Sequence, residues 1–299
     1  MRQAVVLNQL LHRSIDDDIA ERTKEHQAKV AALRSEHAAL EASGTPSSTA
    51  PLIMLAHGDS WFDYPLSGND ISLHSTDIIA QLSEMGNPKP LILNVSHFGD
   101  ATTTELALPK QQRMITALSD AANWGTSGKP DAILFSGGGD DMAGDQFCIY
   151  LDQNVPGSNG LDSSRFEGVL GSILASYRDL FQFRDRHASG VPIFGHAYDF
   201  PIPNGVHPDC TGPWLQPSLF FAGWTELSDG TRILHESLQT FANVLSRLAT
   251  AENGFSLVDT QGTLTPTDWA NELHPTPSGF QMIANRFLDR LRLAFPGRI

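Results

Sequence analysis

From about residue 52 the chain alternates short, nearly apolar runs with longer stretches of helical spacing. The runs are Leu52-Ile53-Met54-Leu55-Ala56, Leu91-Ile92-Leu93-Asn94-Val95, Ala132-Ile133-Leu134-Phe135, Val191-Pro192-Ile193-Phe194 and Phe255-Ser256-Leu257-Val258. Continuous apolar runs of this length predict strands buried on both faces of a parallel sheet. Helices are expected near 76–85, 103–121, 164–187, 232–251 and 277–294. Such alternation implies right-handed crossovers. The expected fold class is therefore α/β: a three-layer α/β/α sandwich, flavodoxin-like, with a five-stranded parallel sheet.

The first 50 residues follow another pattern. Residues 14 to 42 read as a charge-rich helix, with Ser14 and Asp17 as a variant capping box. Asp18–Arg22 and Glu25–Lys29 are favourable i,i+4 pairs, and Ile15, Ile19, Val30, Leu33 and Leu40 draw a thin apolar line. The line suits a helix docked on the main domain. It also suits a dimerisation arm, though it covers few heptads. Residues 43–50 are a polar linker, so the chain divides into an arm and linker at 1–50 and a domain at 51–299. Two segments break the alternation. One is 141–162, rich in Gly, Asn and Pro. The other is 198–231, with Pro201, Pro203, Pro208, Pro213, Pro217, Cys210, Trp214, Phe220, Phe221 and Trp224. A connection this long is usually functional, and its aromatics argue for order. It is expected to be a lid or wall of a substrate pocket, or else a flap over the sheet.

Composition narrows the partners. A net charge of −14 disfavours nucleic acid and anionic membranes and leans towards a neutral small-molecule substrate. No apolar run is long enough to span a bilayer, and Met1–Asn8 lacks the features of a secretory signal, so cytoplasmic residence is the default. Cys148 and Cys210 allow at most one disulfide, and no CxxC is present.

Reactive residue types collect where the strands end, which is where ligands of open parallel sheets bind. Ser60 follows the first strand in His57-Gly58-Asp59-Ser60, Gly99 the second, and Asp140 the third. His274 precedes the last helix in Leu273-His274-Pro275. A serine needs a base within hydrogen-bond reach to become nucleophilic, and donors aimed at the oxyanion. In this order Gly58-Asp59-Ser60, Gly99-Asp100-Ala101-Thr102, Gly138-Gly139-Asp140-Asp141 and Asn271-Glu272-Leu273-His274-Pro275 resemble the four sequence blocks of the SGNH/GDSL hydrolase superfamily. The resemblance covers residues 52 to about 295. It implies a carboxylic ester hydrolase that needs no cofactor or metal, with Ser60 as nucleophile and His274 as base. It also implies an oxyanion hole from Ser60 N–H, Gly99 N–H and the residue at 140. The resemblance covers esterases, acyl-thioesterases, lysophospholipases and carbohydrate O-acetyl esterases alike, and small or medium acyl groups are the expectation here.

Two positions depart from the pattern. The third block normally carries an asparagine that donates to the oxyanion, and here it is Asp140, whose ionised carboxylate only accepts. The last block normally carries an aspartate behind the histidine, and here it is Asn271, which has no charge to stabilise an imidazolium. Three arrangements follow. Asn271 orients His274 through its amide oxygen, Asp268 substitutes for it, or Asp140 and Asn271 exchange roles. With both consensus residues altered, a binding module on the same fold is the alternative function. A metal-dependent phosphoesterase built from His57, Asp59, Asp140, Asp141, His196, Asp199 and His274 is a further one.

Overall fold

The computed structural model describes residues 2–44, 50–64, 77–98, 108–207, 212–252 and 254–299. Five strands, β1 (Ile53–Gly58), β2 (Leu91–Asn94), β3 (Ala132–Ser136), β4 (Ile193–His196) and β5 (Phe255–Val258), form one sheet. Its order is β2-β1-β3-β4-β5, and every pairing is parallel. The expected sheet is present. All six residues of β1 and all five of β3 are buried, which is why these strands read as unbroken apolar runs. The order reverses between β1 and β3, so a crevice opens at their carboxyl ends. Gly58 pairs with Ser136 at that edge.

The helices are α1 (Arg2–Ala42), α2 (Ile78–Ser83), α3 (Leu108–Ser119), α4 (Gly139–Met142), α5 (Ser163–His187), α6 (Gln216–Phe221), α7 (Leu227–Ala251) and α8 (Pro277–Ala294). Among the described residues, no helix is long and apolar enough to cross a membrane. The first helix begins at Arg2, not at Ser14. Good helix formers continue upstream of Ser14, so the capping signal there is overridden. The linker residues 45–49 and the start of the expected 103–121 helix lie outside the described residues.

Helix α1 docks on the flank of β2. Ile19 and Val30 are buried, and the buried His26 ring hydrogen-bonds the Asn123 carbonyl at 2.8 Å. Burial holds the His26 pKa below its ordinary value. Arg34 donates to the carbonyls of Ala121, Trp124 and Gly125. Arg22 pairs with Asp63 at 2.9 Å, tying the helix to the segment just after Ser60.

Helix α7 starts at Leu227, earlier than its spacing suggested, and so takes over the end of the 198–231 segment. Leu215, Leu219 and Trp224 pack with Phe147, Leu151 and Ile233 into a second, smaller core. Trp224 Nε1 donates to the Asp152 carbonyl at 2.8 Å. The two segments that broke the alternation therefore fold against each other.

Candidate active site

The turn that carries the candidate nucleophile is built from β1 outward. A Cβ on Gly58 would lie 2.5 Å from the Ser136 carbonyl, so β1 approaches β3 this closely only with glycine there. Asp59 follows and is buried. Its Oδ1 accepts from Trp61 N–H at 3.0 Å, and its carbonyl accepts from Phe62 and Asp63 N–H. These bonds close a tight turn with Ser60 at its crest. Trp61 Nε1 donates to the Leu273 carbonyl at 3.1 Å, joining this turn to the loop that carries His274.

That loop is equally tight. The His274 carbonyl accepts from Ala270 N–H at 2.9 Å and Asn271 N–H at 3.3 Å. Helix α8 starts directly beyond it, with Thr276 capping Gly279 N–H at 3.1 Å and Pro277 in the first turn. His274 Nε2 stands 2.7 Å from Ser60 Oγ, and its Nδ1 stands 3.1 Å from Asn271 Oδ1. The same Oδ1 accepts from the backbone N–H of Leu273 (3.0 Å) and His274 (2.8 Å). Two backbone donors fix which end of the amide faces the loop, and Asn271 Nδ2 donates to Tyr64 Oη at 3.0 Å. His274 must therefore carry its proton on Nδ1 and present the Nε2 lone pair to Ser60. The Tyr64 ring lies 4.5 Å from the imidazole, centroid to centroid, and Trp214 5.5 Å. Burial pushes the His274 pKa down to about 3, so the ring is neutral at ordinary pH.

The oxyanion side is less complete. Ser60 N–H has no hydrogen-bond partner among the described residues. Gly99 lies outside them. Asp140 sits in the first turn of α4 after Gly138 (φ 108°), is half-buried, and lines the same cleft as Ser60 and His274. The cleft holds about 580 Å³, its open mouth included. Its walls are mostly apolar: Met142, Phe147, Leu234 and Leu238, with Pro201 and Leu215 from the 198–231 segment.

Of the three arrangements open for Asn271, the geometry places its oxygen behind His274 and its amide nitrogen on Tyr64. The Asp268 carboxylate is taken by Thr265, at 2.7 Å from both its N–H and its hydroxyl, in a capping box. Three other members of the metal reading are likewise engaged. Asp199 accepts from the N–H of Phe200, Gly262 and Leu264. His196 bonds Ser136 Oγ and Tyr198 N–H, and Asp59 holds its turn. Burial pushes His196 down to about 3. Among the described residues no three of these side chains are grouped to hold a metal ion. The Cys148 thiol lies 3.2 Å from the Asp145 carbonyl, and Cys210 lies outside the described residues.

Sequence reasoning missed Glu272. It is fully buried, and its carboxylate accepts four backbone N–H groups: Gly205 (3.0 Å) and Gln216 (3.0 Å) on Oε1, Trp214 (2.7 Å) and Leu215 (3.0 Å) on Oε2. Three of these donors lie at the start of α6, where the helix dipole favours an anion. The 198–231 segment is thus held by the residue next to Asn271. The only sequence signal was a charged residue inside an otherwise uncharged block.

No family model and no curated protein matches the sequence. Solved structures do match in fold. The lipase Lip_vut3 from a goat rumen metagenome is 16% identical over 83% of this chain and 99% of that chain, with a TM-score of 0.51. An extracellular lipase from Streptomyces rimosus is 15% identical over 79% and 98%, with a TM-score of 0.48. A carbohydrate esterase family 3 protein from Talaromyces cellulolyticus is 13% identical over 81% and 98%, with a TM-score of 0.44. At these identities the likeness concerns the fold alone.

Proposed function

From the premise that this chain has the SGNH/GDSL hydrolase fold, we propose that it is a serine hydrolase cleaving carboxylic esters of small or medium acyl groups. The observation that carries the reading is the Ser60 Oγ–His274 Nε2 approach of 2.7 Å, with the histidine tautomer held by Asn271. In this reading Ser60 Oγ attacks the ester carbonyl while His274 Nε2 takes its proton. His274 returns that proton to the leaving alcohol, and the acyl group stays on Ser60. A water molecule, deprotonated by the same nitrogen, then releases the acid. Ser60 N–H, without a partner among the described residues, is available to the oxyanion, and Gly99 N–H joins it by the family resemblance. Asp140 occupies the third donor's place without being a donor when ionised. Losing one oxyanion donor costs on the order of 100- to 1000-fold in rate, so a slow enzyme is expected. The apolar cleft walls favour an apolar acyl group, and the charge of −14 favours neutral esters.

A fluorophosphonate probe and a series of p-nitrophenyl esters test the reading. Labelling at Ser60, absent in Ser60→Ala together with hydrolysis, is the expected result. Turnover should drop by at least about 1000-fold in that variant. Rates rising steadily from acetate to long chains would exclude the small-acyl assignment. One observation favours a second reading. No charge stands behind His274 and a carboxylate stands where a donor belongs, as suits a binding module that has kept the fold. A wild-type chain that takes no label at any pH would select that reading.

A further inference from the structure

Beneath the nucleophile turn lies a buried polar network whose hydrogen positions can be assigned. Tyr198 N–H donates to His196 Nδ1 at 3.2 Å, so the neutral His196 carries its hydrogen on Nε2. Nε2–H donates to Ser136 Oγ at 2.9 Å, and Ser136 gives its own hydrogen to Asp59 Oδ1 at 2.8 Å. Asp59 Oδ2 takes the hydroxyl hydrogen of Tyr198. That leaves the Tyr198 oxygen free to accept, and Gly139 N–H donates to it at 2.9 Å. One phenolic oxygen therefore touches both loops of the site: the carboxylate that shapes the Ser60 turn and the backbone that carries Asp140.

The surroundings hold this oxygen in place. Tyr198 has φ 60°, a left-handed conformation that a bulky residue keeps only where neighbours enforce it. Thr260 Oγ1 donates to its carbonyl at 2.7 Å. A Cβ on Gly139 would lie 2.7 Å from the Tyr198 ring, so the loop rests directly on that ring. The ring packs edge-on to Trp61, 5.2 Å between centroids.

We propose that Tyr198 is a positioning residue that sets the separation between the Ser60 turn and the Gly138-Gly139-Asp140 loop, and through it the geometry of the oxyanion site. The proposal rests on the ester-hydrolase reading of Ser60. Tyr198→Phe removes one oxygen from a buried ring. Its kcat should fall about 10- to 100-fold, the effect expected of an ångström-scale misplacement, with KM changed less than about twofold. Fluorophosphonate labelling of Ser60 should still reach completion, more slowly. Ser136→Ala is the comparison, because it takes a donor from the same carboxylate without touching Gly139. It should lower Tm by a similar amount but kcat by less than about threefold. If Tyr198→Phe does not fold, Gly139→Ala presses the loop off the ring and keeps every donor, and it should show the same kcat loss. Unchanged kcat in Tyr198→Phe or Gly139→Ala overturns the proposal. So does a loss confined to KM, or equal kcat losses in Tyr198→Phe and Ser136→Ala at equal Tm. A labelled, active wild type with an unimpaired Tyr198→Phe sinks the clamp alone, whereas an unlabelled wild type sinks the hydrolase reading and the clamp with it.

Discussion

The two flanks of the site hold their buried carboxylates in different ways. Behind Ser60, Asp59 is satisfied mainly by side chains from β3 and the end of β4: Ser136 Oγ, backed by His196, and Tyr198 Oη. Behind His274, the group in contact with Nδ1 is the neutral amide of Asn271, and the carboxylate next to it in sequence, Glu272, is turned into four backbone N–H groups of the 198–231 segment. On the Ser60 flank a carboxylate shapes the turn that carries the candidate nucleophile. On the His274 flank a carboxylate shapes the pocket wall, and the candidate base rests on a neutral amide. Buried carboxylates here serve architecture on both sides, and burial disfavours a charged His274 ring.

The largest effect should come from removing the architectural charge. Glu272→Ala leaves the buried N–H of Leu215 and the part-buried N–H groups of Gly205, Trp214 and Gln216 without this acceptor. It should destabilise the fold by about 3–5 kcal/mol in urea unfolding. A loss below about 1 kcal/mol would mean that the second core, not the carboxylate, holds the segment.

Next comes the missing charge behind the base. Asn271→Asp places a carboxylate on His274 Nδ1, with Tyr64 Oη able to turn and donate to it. The carboxylate favours the imidazolium, so the His274 pKa rises from about 3. The acid limb of the kcat/KM profile should therefore move to higher pH, with kcat about tenfold or more greater at neutral pH. A variant with the wild-type profile would show that the amide already supplies all the support the base uses.

A third effect is on stability against pH. His196 and His274 have folded pKa values near 3, below the unfolded 6.5. Their contribution is complete above pH 6.5 and is lost as pH falls towards 3, by about 1.4 kcal/mol per unit for each histidine. His26, also lowered by burial, acts in the same direction. Asp77 opposes them. Burial raises its carboxyl to about 7, so its cost is relieved as pH falls from 7 towards 3.8. Two histidines against one aspartate leave a net loss of about 1.4 kcal/mol per unit between pH 6.5 and 4. The urea midpoint should fall over that window, and a midpoint that rises on acidification would show that the site histidines are not held neutral.

The sheet was legible because strands buried on both faces leave a one-dimensional trace: β1 and β3 are apolar at nearly every position. Ser60 and His274 were legible as a pair only through their family blocks, since 214 residues separate them. The N-terminal helix was placed but started too late, because a capping signal is weak against a continuing run of helix formers. Glu272 and Tyr198 were not identified, because nothing local marks a carboxylate as the acceptor for a distant loop or a tyrosine as a bridge between two turns.

By itself the sequence determined the layer order, the strand ends where the chemistry collects, and the identities of the candidate nucleophile and base. The layers and strand ends follow from burial periodicity, a local property, and the candidate pair from its resemblance to the family blocks. Tertiary structure alone decided that Asn271 turns its oxygen to His274 Nδ1, that Asp268 belongs to Thr265, and that Glu272 holds the pocket wall. Each depends on which donor is left over once the chain has closed, and a donor's availability is a property of the whole packed site.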